Sequence, residues 1–358
     1  MRPRGPALIL SGMNSRRKAI FLAAFLLPAA APRLRAAPRL GPAPEPTIYG
    51  ADNRYDVYQV RRRIQRLAGS TLSLFSWRSI VDIKGGRVYL PTLSYGKDYK
   101  LETRERFYNE PDGAFCSGFL VGPDLVATAG HCVTSAKDCS GTAFVFGYSV
   151  ARANANPTSV PATEVYSCSA LVARKYSDDG QDWSLVRLNR PVLNHVPLTL
   201  DGDFHPEVGE PLFMIGYPSG LPAKVSEDAR IVSISPHGYF SADLDDAGGS
   251  SGSPVFDART DLVEGILVRG EDDFVKHGFF LLRPFGLYHR TSKVCPDSGF
   301  APNSGCSGED VSEVGPVLEA LSAAEPARPA NRRPSVNLAL AQKALRRFKS
   351  AAGDFDGR

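Results

Sequence analysis

A histidine, an aspartate and a serine stand in three separate segments whose order could support nucleophilic chemistry. His131 follows the apolar run of LVATAGHCV, Asp182 opens QDWSLVRL, and Ser251 lies in DDAGGSSGSPVF. A serine hydroxyl becomes a nucleophile when a neutral imidazole can take its proton and a carboxylate holds that imidazole in the right tautomer. The three segments together therefore offer the groups needed to hydrolyse an amide or ester bond.

Each segment alone has a plainer interpretation. A lone histidine is usually structural, an aspartate before a strand is usually a turn residue, and a Gly/Ser stretch can be a flexible loop. Asp178 and Asp179 compete with Asp182 but lie in a Ser/Asp/Gly turn, and Ser250 competes with Ser251. The glycines around the serine favour the catalytic interpretation, because they permit a tight turn whose N–H groups converge as an oxyanion hole requires.

Short apolar runs punctuated by Gly, Pro, Asn and Asp extend along the chain from Ile48. Examples are FLVG, LVATA, TAFVFGYSV, WSLVRL, PLFMIGYP and SPVF. Many short strands with frequent turn signals predict an all-β sandwich or barrel. Helical spacing is scarce until GEDVSEVGPVLEAL, Gly308 to Leu321, where apolar residues recur at three- and four-residue intervals. We therefore predict a terminal helix over this stretch.

The motifs TAGHC, DWSLV and GSSGSP occur in the order His, Asp, Ser, and this arrangement resembles the chymotrypsin-like serine proteases. The GSP ending, GYPSG and IYGADNR are more specifically similar to the bacterial glutamyl endopeptidases. The resemblance covers roughly Ile48 to Leu321. It implies an all-β fold of two six-stranded antiparallel β-barrels with a C-terminal helix, and hydrolysis without a cofactor or metal.

The resemblance also assigns roles to residues. Ser251 would be the nucleophile, His131 the general base and then acid, and Asp182 the orienting carboxylate. The backbone N–H groups of Gly249 and Ser251 would form the oxyanion hole. Animal members carry an aspartate just before the nucleophile to receive a freed amino terminus, and Ser250 stands there instead. We therefore do not expect activation by that ion pair, and removal of a short propeptide stays open.

By the same resemblance, the pocket for the side chain preceding the cleaved bond is framed by Asp245, Asp246, Val268, Arg269 and Gly270. An acid six positions before the nucleophile is similar to the trypsin-type arrangement and predicts cleavage after Arg or Lys, since a buried carboxylate needs a partner. Arg269 could instead neutralise Asp245 or favour acidic substrates. Leu267 stands where glutamyl endopeptidases use a histidine, so both kinds of substrate stay open.

Six cysteines form an even set, which is typical of disulfides made in an oxidising compartment. A bond between Cys116 and Cys132 would pin the histidine segment to a neighbouring strand. The pairing of the other four, Cys139, Cys168, Cys295 and Cys306, stays open because six cysteines allow fifteen pairings. Zinc is disfavoured because the sequence has no CxxC pair.

The chain begins with a segment that is typical of a secretory signal peptide, predicted over residues 1–37. Arg16, Arg17 and Lys18 precede an apolar run that is broken by Pro28 and is short for a membrane anchor. We predict a linker or short propeptide over 38–47, a protease domain over 48–322, and a basic, Pro/Ala-rich disordered tail over 323–358. A short amphipathic helix touching anionic lipid is the alternative for the tail.

The net charge of the chain limits the kinds of partner that it can bind. Removal of residues 1–37 takes away seven basic residues and no acidic one, which leaves 35 basic and 38 acidic residues. Nucleic-acid binding then loses its main support. The sequence predicts a secreted or periplasmic monomer that acts on protein or peptide substrates, without nucleic acid and without stable membrane insertion. A catalytically silent binding protein and an esterase, both on the same fold, are the rival functions.

Overall fold

The computed structural model describes residues 48–83, 85–177, 180–270, 273–277, 288–295 and 306–324. The segments predicted as signal peptide and linker, and the tail beyond residue 324, lie outside the described residues, as do Asp178 and Asp179. Within the described part, the helices are all too short or too polar to cross a bilayer.

The described residues form short strands throughout. In chain order these are β1 Ile48–Tyr49, β2 Arg54–Asp56, β3 Thr71–Ser76, β4 Val81–Ile83, β5 Arg87–Tyr89, β6 Leu93–Ser94, β7 Pro111–Asp112, β8 Cys116–Leu120, β9 Leu125–Thr128, β10 Thr142–Phe146, β11 Ser159–Pro161, β12 Val165–Tyr176, β13 Asp182–Leu188, β14 Pro211–Gly216, β15 Lys224–Ser235, β16 Tyr239–Ala242, β17 Pro254–Asp257, β18 Val263–Arg269, β19 Phe274–His277, β20 His289–Ser292, β21 Val294–Cys295 and β22 Glu309–Glu313.

The α-helices among these residues are short. They are α1 Arg62–Ala68, α2 Tyr95–Asp98, α3 Ala136–Gly141 and α4 Gly315–Ala324. Single 3₁₀ turns occur at Val57–Gln59, Trp77–Ser79, Ala162–Glu164 and Pro218–Gly220. The sequence predicted none of α1, α2 and α3, because a helix of one or two turns shows too little periodicity to be recognised.

Six antiparallel strands close the first barrel in the order β10, β12, β13, β9, β8 and β3, with β3 pairing back to β10. Strands β8, β9 and β10 are buried along their whole length. Their side chains are apolar or small, so both faces can be covered without leaving large polar groups away from water. The apolar runs read from the sequence are therefore barrel strands.

The second barrel runs in the order β14, β17, β18, β22, β16 and β15, and β15 pairs back to β14. Strand β2 adds to the outer side of β15. The predicted architecture of two six-stranded antiparallel barrels is confirmed. Helix α4 follows the last strand and buries Val317 in the apolar core, so the predicted C-terminal helix is also confirmed.

The predicted start of that helix is wrong. Glu309–Glu313, the first part of the segment predicted as helical, is strand β22. It lies between β16 and β18 and hydrogen-bonds to both, so its backbone groups are satisfied on two sides. Val311 is fully buried there. The helical spacing of the valines was local, whereas the strand depends on partners distant in sequence.

All six cysteines are paired. The predicted bond between Cys116 and Cys132 is present. Cys139 of α3 pairs with Cys168 of β12, and Cys295 pairs with Cys306. The bond between Cys116 and Cys132 ties the segment that carries His131 to strand β8 of the same barrel.

Candidate active site

His131 and Asp182 are joined by two hydrogen bonds. The main-chain N–H of His131 donates to Oδ1 of Asp182 at 3.0 Å, and Nδ1 of its ring lies 2.6 Å from Oδ2. With Nδ1 used in this way, the remaining ring nitrogen, Nε2, is left to exchange a proton with another group. The pair thus has the geometry of a base held in one tautomer by a carboxylate.

The two residues come from neighbouring strands of the first barrel. His131 follows β9, Asp182 opens β13, and these strands pair antiparallel. The Asp182 carboxylate is 1% exposed, whereas the His131 side chain is 37% exposed. The main-chain N–H of Asp182 donates to the hydroxyl of Ser312 on β22. The carboxylate therefore lies where the two barrels meet, with its imidazole partner open to solvent.

The turn around Ser251 depends on two glycines in the left-handed region. Gly249 has φ +105° and Gly252 has φ +94°, conformations that side chains rarely adopt. A Cβ on Gly252 would lie 2.0 Å from the carbonyl oxygen of Ser117. The turn packs that closely because the N–H of Ser117 donates to the carbonyl of Ser251 at 2.8 Å. The glycines singled out in the sequence are thus required by both the turn and its packing.

Two N–H groups of this turn donate to no acceptor in the described part of the chain. Within the described residues, the N–H of Gly249 and the N–H of Ser251 have no hydrogen-bond acceptor, while their neighbour Ser250 donates to Ala247. The carbonyl of Gly249 is occupied, because the hydroxyl of Ser117 donates to it at 3.0 Å. The free donors can therefore receive a negatively charged oxygen, as the predicted oxyanion hole requires.

Ser117 is a site residue that the sequence analysis missed. Its hydroxyl accepts from the N–H of Tyr217 at 3.1 Å while donating to Gly249, and its carbonyl accepts from the hydroxyl of Thr128. It lies on β8 beside Cys116 and links the first barrel to the serine turn. No local signal could have identified it, because Gly249 and Tyr217 are at least 100 residues away in the chain.

The serine turn also contacts the histidine segment. Sγ of Cys132, the residue after His131, lies 3.6 Å from the carbonyl oxygen of Ser251. A ring nitrogen of His131 lies within 4.8 Å of the sulfurs of Cys116 and Cys132. Those sulfurs are bonded to each other and so are not metal ligands. The structure thus brings the segments of the predicted nucleophile and the predicted base together at the junction of the barrels.

A cavity of about 450 Å³ opens beside Ser251. Its walls include four of the five residues predicted to frame the pocket: Asp246, Val268, Arg269 and Gly270. Gly248, Leu267, Asp273, Ser307, Gly308 and Asp310 complete the described lining. The charge on these walls is mostly acidic, with three aspartates against one arginine.

Asp245, the fifth predicted residue, is not part of that described lining. Its carboxylate accepts the main-chain N–H groups of Tyr49 at 2.7 Å and Asn53 at 2.8 Å. Burial raises the pKa of Asp245 to about 6. The side chain is 1% exposed and holds the β1 segment against the second barrel. The carboxylate of Asp245 is therefore engaged in internal hydrogen bonds and does not line the described cavity.

Asp246 lies on the cavity wall and forms a buried acidic pair with Glu309, which lies behind Gly270 and is not part of the described lining. Asp246 is 5% exposed and Glu309 is fully buried, and Glu309 Oε2 approaches Gly270 so closely that a Cβ there would lie 1.9 Å from it. Asp246 Oδ1 and Glu309 Oε2 have no hydrogen-bond partner among the described residues. Burial raises the pKa of Asp246 to about 7, and burial with the Asp246 carboxylate raises that of Glu309. The sequence analysis had placed Glu309 in a helix.

Arg269 is largely engaged within the protein. Its Nε donates to Asp310 at 2.9 Å, and its Nη1 donates to the carbonyl of Gly180 at 2.9 Å. The guanidinium also lies over the ring of Tyr239. These contacts hold the positively charged guanidinium against the carboxylate of Asp310. Asp245 is therefore not the acid that Arg269 neutralises.

A known protein family matches the part of this chain that carries these residues. The family model described as a trypsin-like peptidase domain matches residues 116–266, an interval that contains His131, Asp182 and Ser251. The resemblance to the chymotrypsin-like serine proteases that was predicted from the motifs is confirmed.

A glutamyl endopeptidase of Bacillus licheniformis is among the relatives of this chain. The two are 30% identical over 148 residues, which is 40% of this chain and 45% of that protein. The match thus spans less than half of the relative. It agrees with the predicted similarity to the glutamyl endopeptidase branch.

The solved structures that match this chain have low sequence identity to it. The VesB protease of Vibrio cholerae has a TM-score of 0.44 and 15% identity, over 75% of this chain and 66% of that chain. Human heparin binding protein has a TM-score of 0.43 and 12% identity, over 77% of this chain and 99% of that chain.

The Gly252→Ala substitution is expected to destabilise the domain by about 2–4 kcal/mol, because it adds left-handed strain to a clash with the Ser117 carbonyl. Gly141→Ala is the matched control, since a Cβ there meets no atom within 4 Å and φ is not positive. It should change stability by less than about 1 kcal/mol. Urea unfolding of both variants measures the difference, and equal midpoints would contradict this account of the turn.

Proposed function

We propose that the chain is a secreted serine endopeptidase that uses Ser251 as nucleophile, His131 as general base and Asp182 as orienting carboxylate. The observation that carries the proposal is the doubly hydrogen-bonded pair of His131 and Asp182. It lies at a junction shared with a glycine turn, two of whose N–H groups have no acceptor among the described residues. These are the groups that acyl transfer requires.

In the proposed mechanism, Oγ of Ser251 attacks the carbonyl carbon of the scissile bond while Nε2 of His131 takes its proton. Asp182 keeps the second ring nitrogen protonated and stabilises the imidazolium. The carbonyl oxygen becomes an oxyanion that accepts from the N–H groups of Gly249 and Ser251. The C–N bond then breaks as His131 returns the proton to the leaving amine, and an acyl-enzyme remains.

Deacylation repeats these steps with water. His131 removes a proton from the water molecule, the hydroxide attacks the ester carbonyl, and the proton returns to Oγ of Ser251 as the ester bond breaks. The products are a carboxylic acid and the free serine, so atoms and charges balance. The described cavity beside Ser251 has room for one side chain of a peptide substrate, which favours a peptidase over an esterase.

We further propose that this side chain is Arg or Lys. Asp246 on the cavity wall has a carboxylate oxygen without a partner among the described residues, as does Glu309 behind it, and a cationic group in the cavity would supply one to Asp246. Arg269 on the cavity wall would repel a substrate cation, but its guanidinium is paired with Asp310. Cleavage after glutamate is the second candidate, because Nη2 of Arg269 has no hydrogen-bond partner among the described residues and the Bacillus relative is a glutamyl endopeptidase.

The proposed setting is outside the cytoplasm, in a periplasm or in the medium. Three disulfides support it, because such bonds persist in oxidising compartments. The proposed organisation is a signal peptide over 1–37, a linker or propeptide over 38–47, the protease domain over 48–322 and a tail over 323–358. The proposed active form is a monomer whose catalytic steps use no metal or cofactor.

A fluorophosphonate probe should label the wild-type chain at Ser251. Ser251→Ala should not be labelled, and Asp182→Asn should lower kcat on a peptide by about 10⁴-fold, because the histidine then takes the wrong tautomer. Mass spectrometry of the labelled peptide identifies the residue. Ser250→Ala is the matched control and should label. Labelling that survives in Ser251→Ala, or a wild-type chain that never reacts, would rule out the proposed nucleophile.

Asp246→Asn should lower kcat/KM for peptides with Lys or Arg before the cleaved bond by about 10- to 100-fold, the cost of losing one charged hydrogen bond. Peptides with an uncharged residue there should be affected little. Glu313→Gln is the control, since Glu313 is an acid of the same barrel that, unlike Asp246, is not part of the described cavity lining. A wild-type preference for glutamate would instead select Arg269 as the determinant.

The same acid should give the specificity a pH dependence. The pKa of Asp246 is raised to about 7 by burial, so the carboxyl is neutral below that pH and cannot pair with a cation. The ratio of kcat/KM for a Lys peptide to that for an uncharged peptide should therefore rise as pH increases through about 7. Taking the ratio cancels any pH dependence that the two peptides share. A ratio independent of pH between 5 and 9 would exclude Asp246.

A further inference from the structure

Three carboxylates of the second barrel converge at a place separate from the candidate active site. Glu210, Asp257 and Glu264 each bring a carboxylate oxygen within 4.8 Å of the other two. None of them is part of the predicted triad or of the described lining of the cavity beside Ser251. The proposed catalytic mechanism therefore does not explain why they are together.

Three adjacent strands build this cluster. Asp257 ends β17, which lies between β14 and β18 in the barrel. Glu210 directly precedes β14, whose Leu212 is the partner of Asp257 in the ladder. Glu264 lies on β18. The cluster is thus held by barrel backbone rather than by a loop.

A β-bulge directs the third carboxylate inward. Val255 pairs with Gly265 and the next residue, Phe256, pairs with Val263, so Glu264 is an extra residue without a partner in the ladder. A bulge of this kind re-aims a side chain. Glu264 is 2% exposed, an unusual position for a glutamate. The fold departs from regular pairing and by doing so buries an acid.

Two oxygens of the cluster lack partners. Among the described residues, no hydrogen bond reaches Oε2 of Glu264 or Oε2 of Glu210, and both atoms are buried. An unpartnered buried carboxylate is costly. Burial, and then the carboxylates of Glu210 and Asp257, raise the pKa of Glu264 to about 8. The site therefore lacks a positive charge at its inner side.

Arg259 offsets the negative charge of the cluster only on its solvent-exposed side. Its Nη2 donates to Oδ2 of Asp257 and to Oε1 of Glu210, both at 2.8 Å, and its side chain is 66% exposed. Oδ1 of Asp257 accepts the N–H groups of Arg259 and Thr260. One guanidinium thus faces three carboxylates, which leaves two negative charges when all are ionised.

We propose that Glu210, Asp257 and Glu264 form a binding site for one divalent calcium ion. Calcium takes oxygen ligands at about 2.3–2.6 Å, so ligand oxygens up to about 5 Å apart can share one ion, and water can complete its shell. Zinc prefers nitrogen and sulfur and is a poorer match to this donor set. Because β17 follows the turn of Ser251 and β18 leads to the cavity wall, the ion stabilises the barrel that carries both.

Equilibrium dialysis of the full chain against radioactive calcium tests the proposal. We expect about one ion bound per chain, and a rise in Tm of roughly 5 °C at a hundredfold excess of calcium over Kd. Melting is measured in a Ser251→Ala background so that self-digestion does not contribute. Glu264→Gln, which keeps the shape of the side chain but cannot become negatively charged, should weaken binding by more than tenfold and abolish the rise in Tm.

Two further variants keep the test decisive. Glu313→Gln, on neighbouring β22 and outside the cluster, should bind calcium and melt as the parent does. If Glu264→Gln does not fold, Glu210→Gln takes its place with the same expected loss. A wild-type chain that binds no calcium at millimolar concentration, or a cluster variant that binds it unchanged, overturns the proposal. The outcome does not depend on whether the chain cleaves peptides.

Discussion

The buried carboxylate of Asp182 imposes the constraint on which the candidate active site depends. At 1% exposure it cannot be stabilised by bulk water, so the protein must supply its donors. His131 supplies two, one from its main chain and one from its ring. The first holds the carboxylate to the backbone after β9, and the second determines which ring nitrogen stays available. Burial of the acid and orientation of the base are thus one interaction.

Strand β8 transmits that order to the second barrel. Through Ser117 it holds the turn of Ser251 by three contacts: a backbone bond to the Ser251 carbonyl, a hydroxyl bond to the Gly249 carbonyl, and close packing against Gly252. Through Cys116 it is bonded to the residue after His131. One strand therefore touches both the predicted base segment and the predicted nucleophile segment, which makes their separation insensitive to small movements of the barrels.

The second barrel contains two groups of buried acids with carboxylate oxygens that lack a hydrogen-bond partner among the described residues. Among the described residues, no partner reaches one oxygen each of Asp246 on the cavity wall and Glu309 behind it, and the same holds for Glu210 and Glu264 at the cluster. The same physical cost applies to both, since buried carboxylates without donors raise the free energy of the folded state. Such acids are usual where a ligand supplies the missing charge. A substrate cation at the first place and a metal ion at the second would each serve.

The sequence by itself determined what local chemistry can specify. The barrel strands were predictable because each is a short apolar run between turn residues, and His131, Asp182 and Ser251 could be selected because each lies in a compact motif. What only the tertiary structure decided depends on strand register and packing: the pairing of Cys139 with Cys168, the absence of Asp245 from the described cavity wall on which Asp246 lies, the contacts of Ser117, and the bulge that buries Glu264. Register joins segments up to hundreds of residues apart, and it leaves no periodic signal in either segment alone.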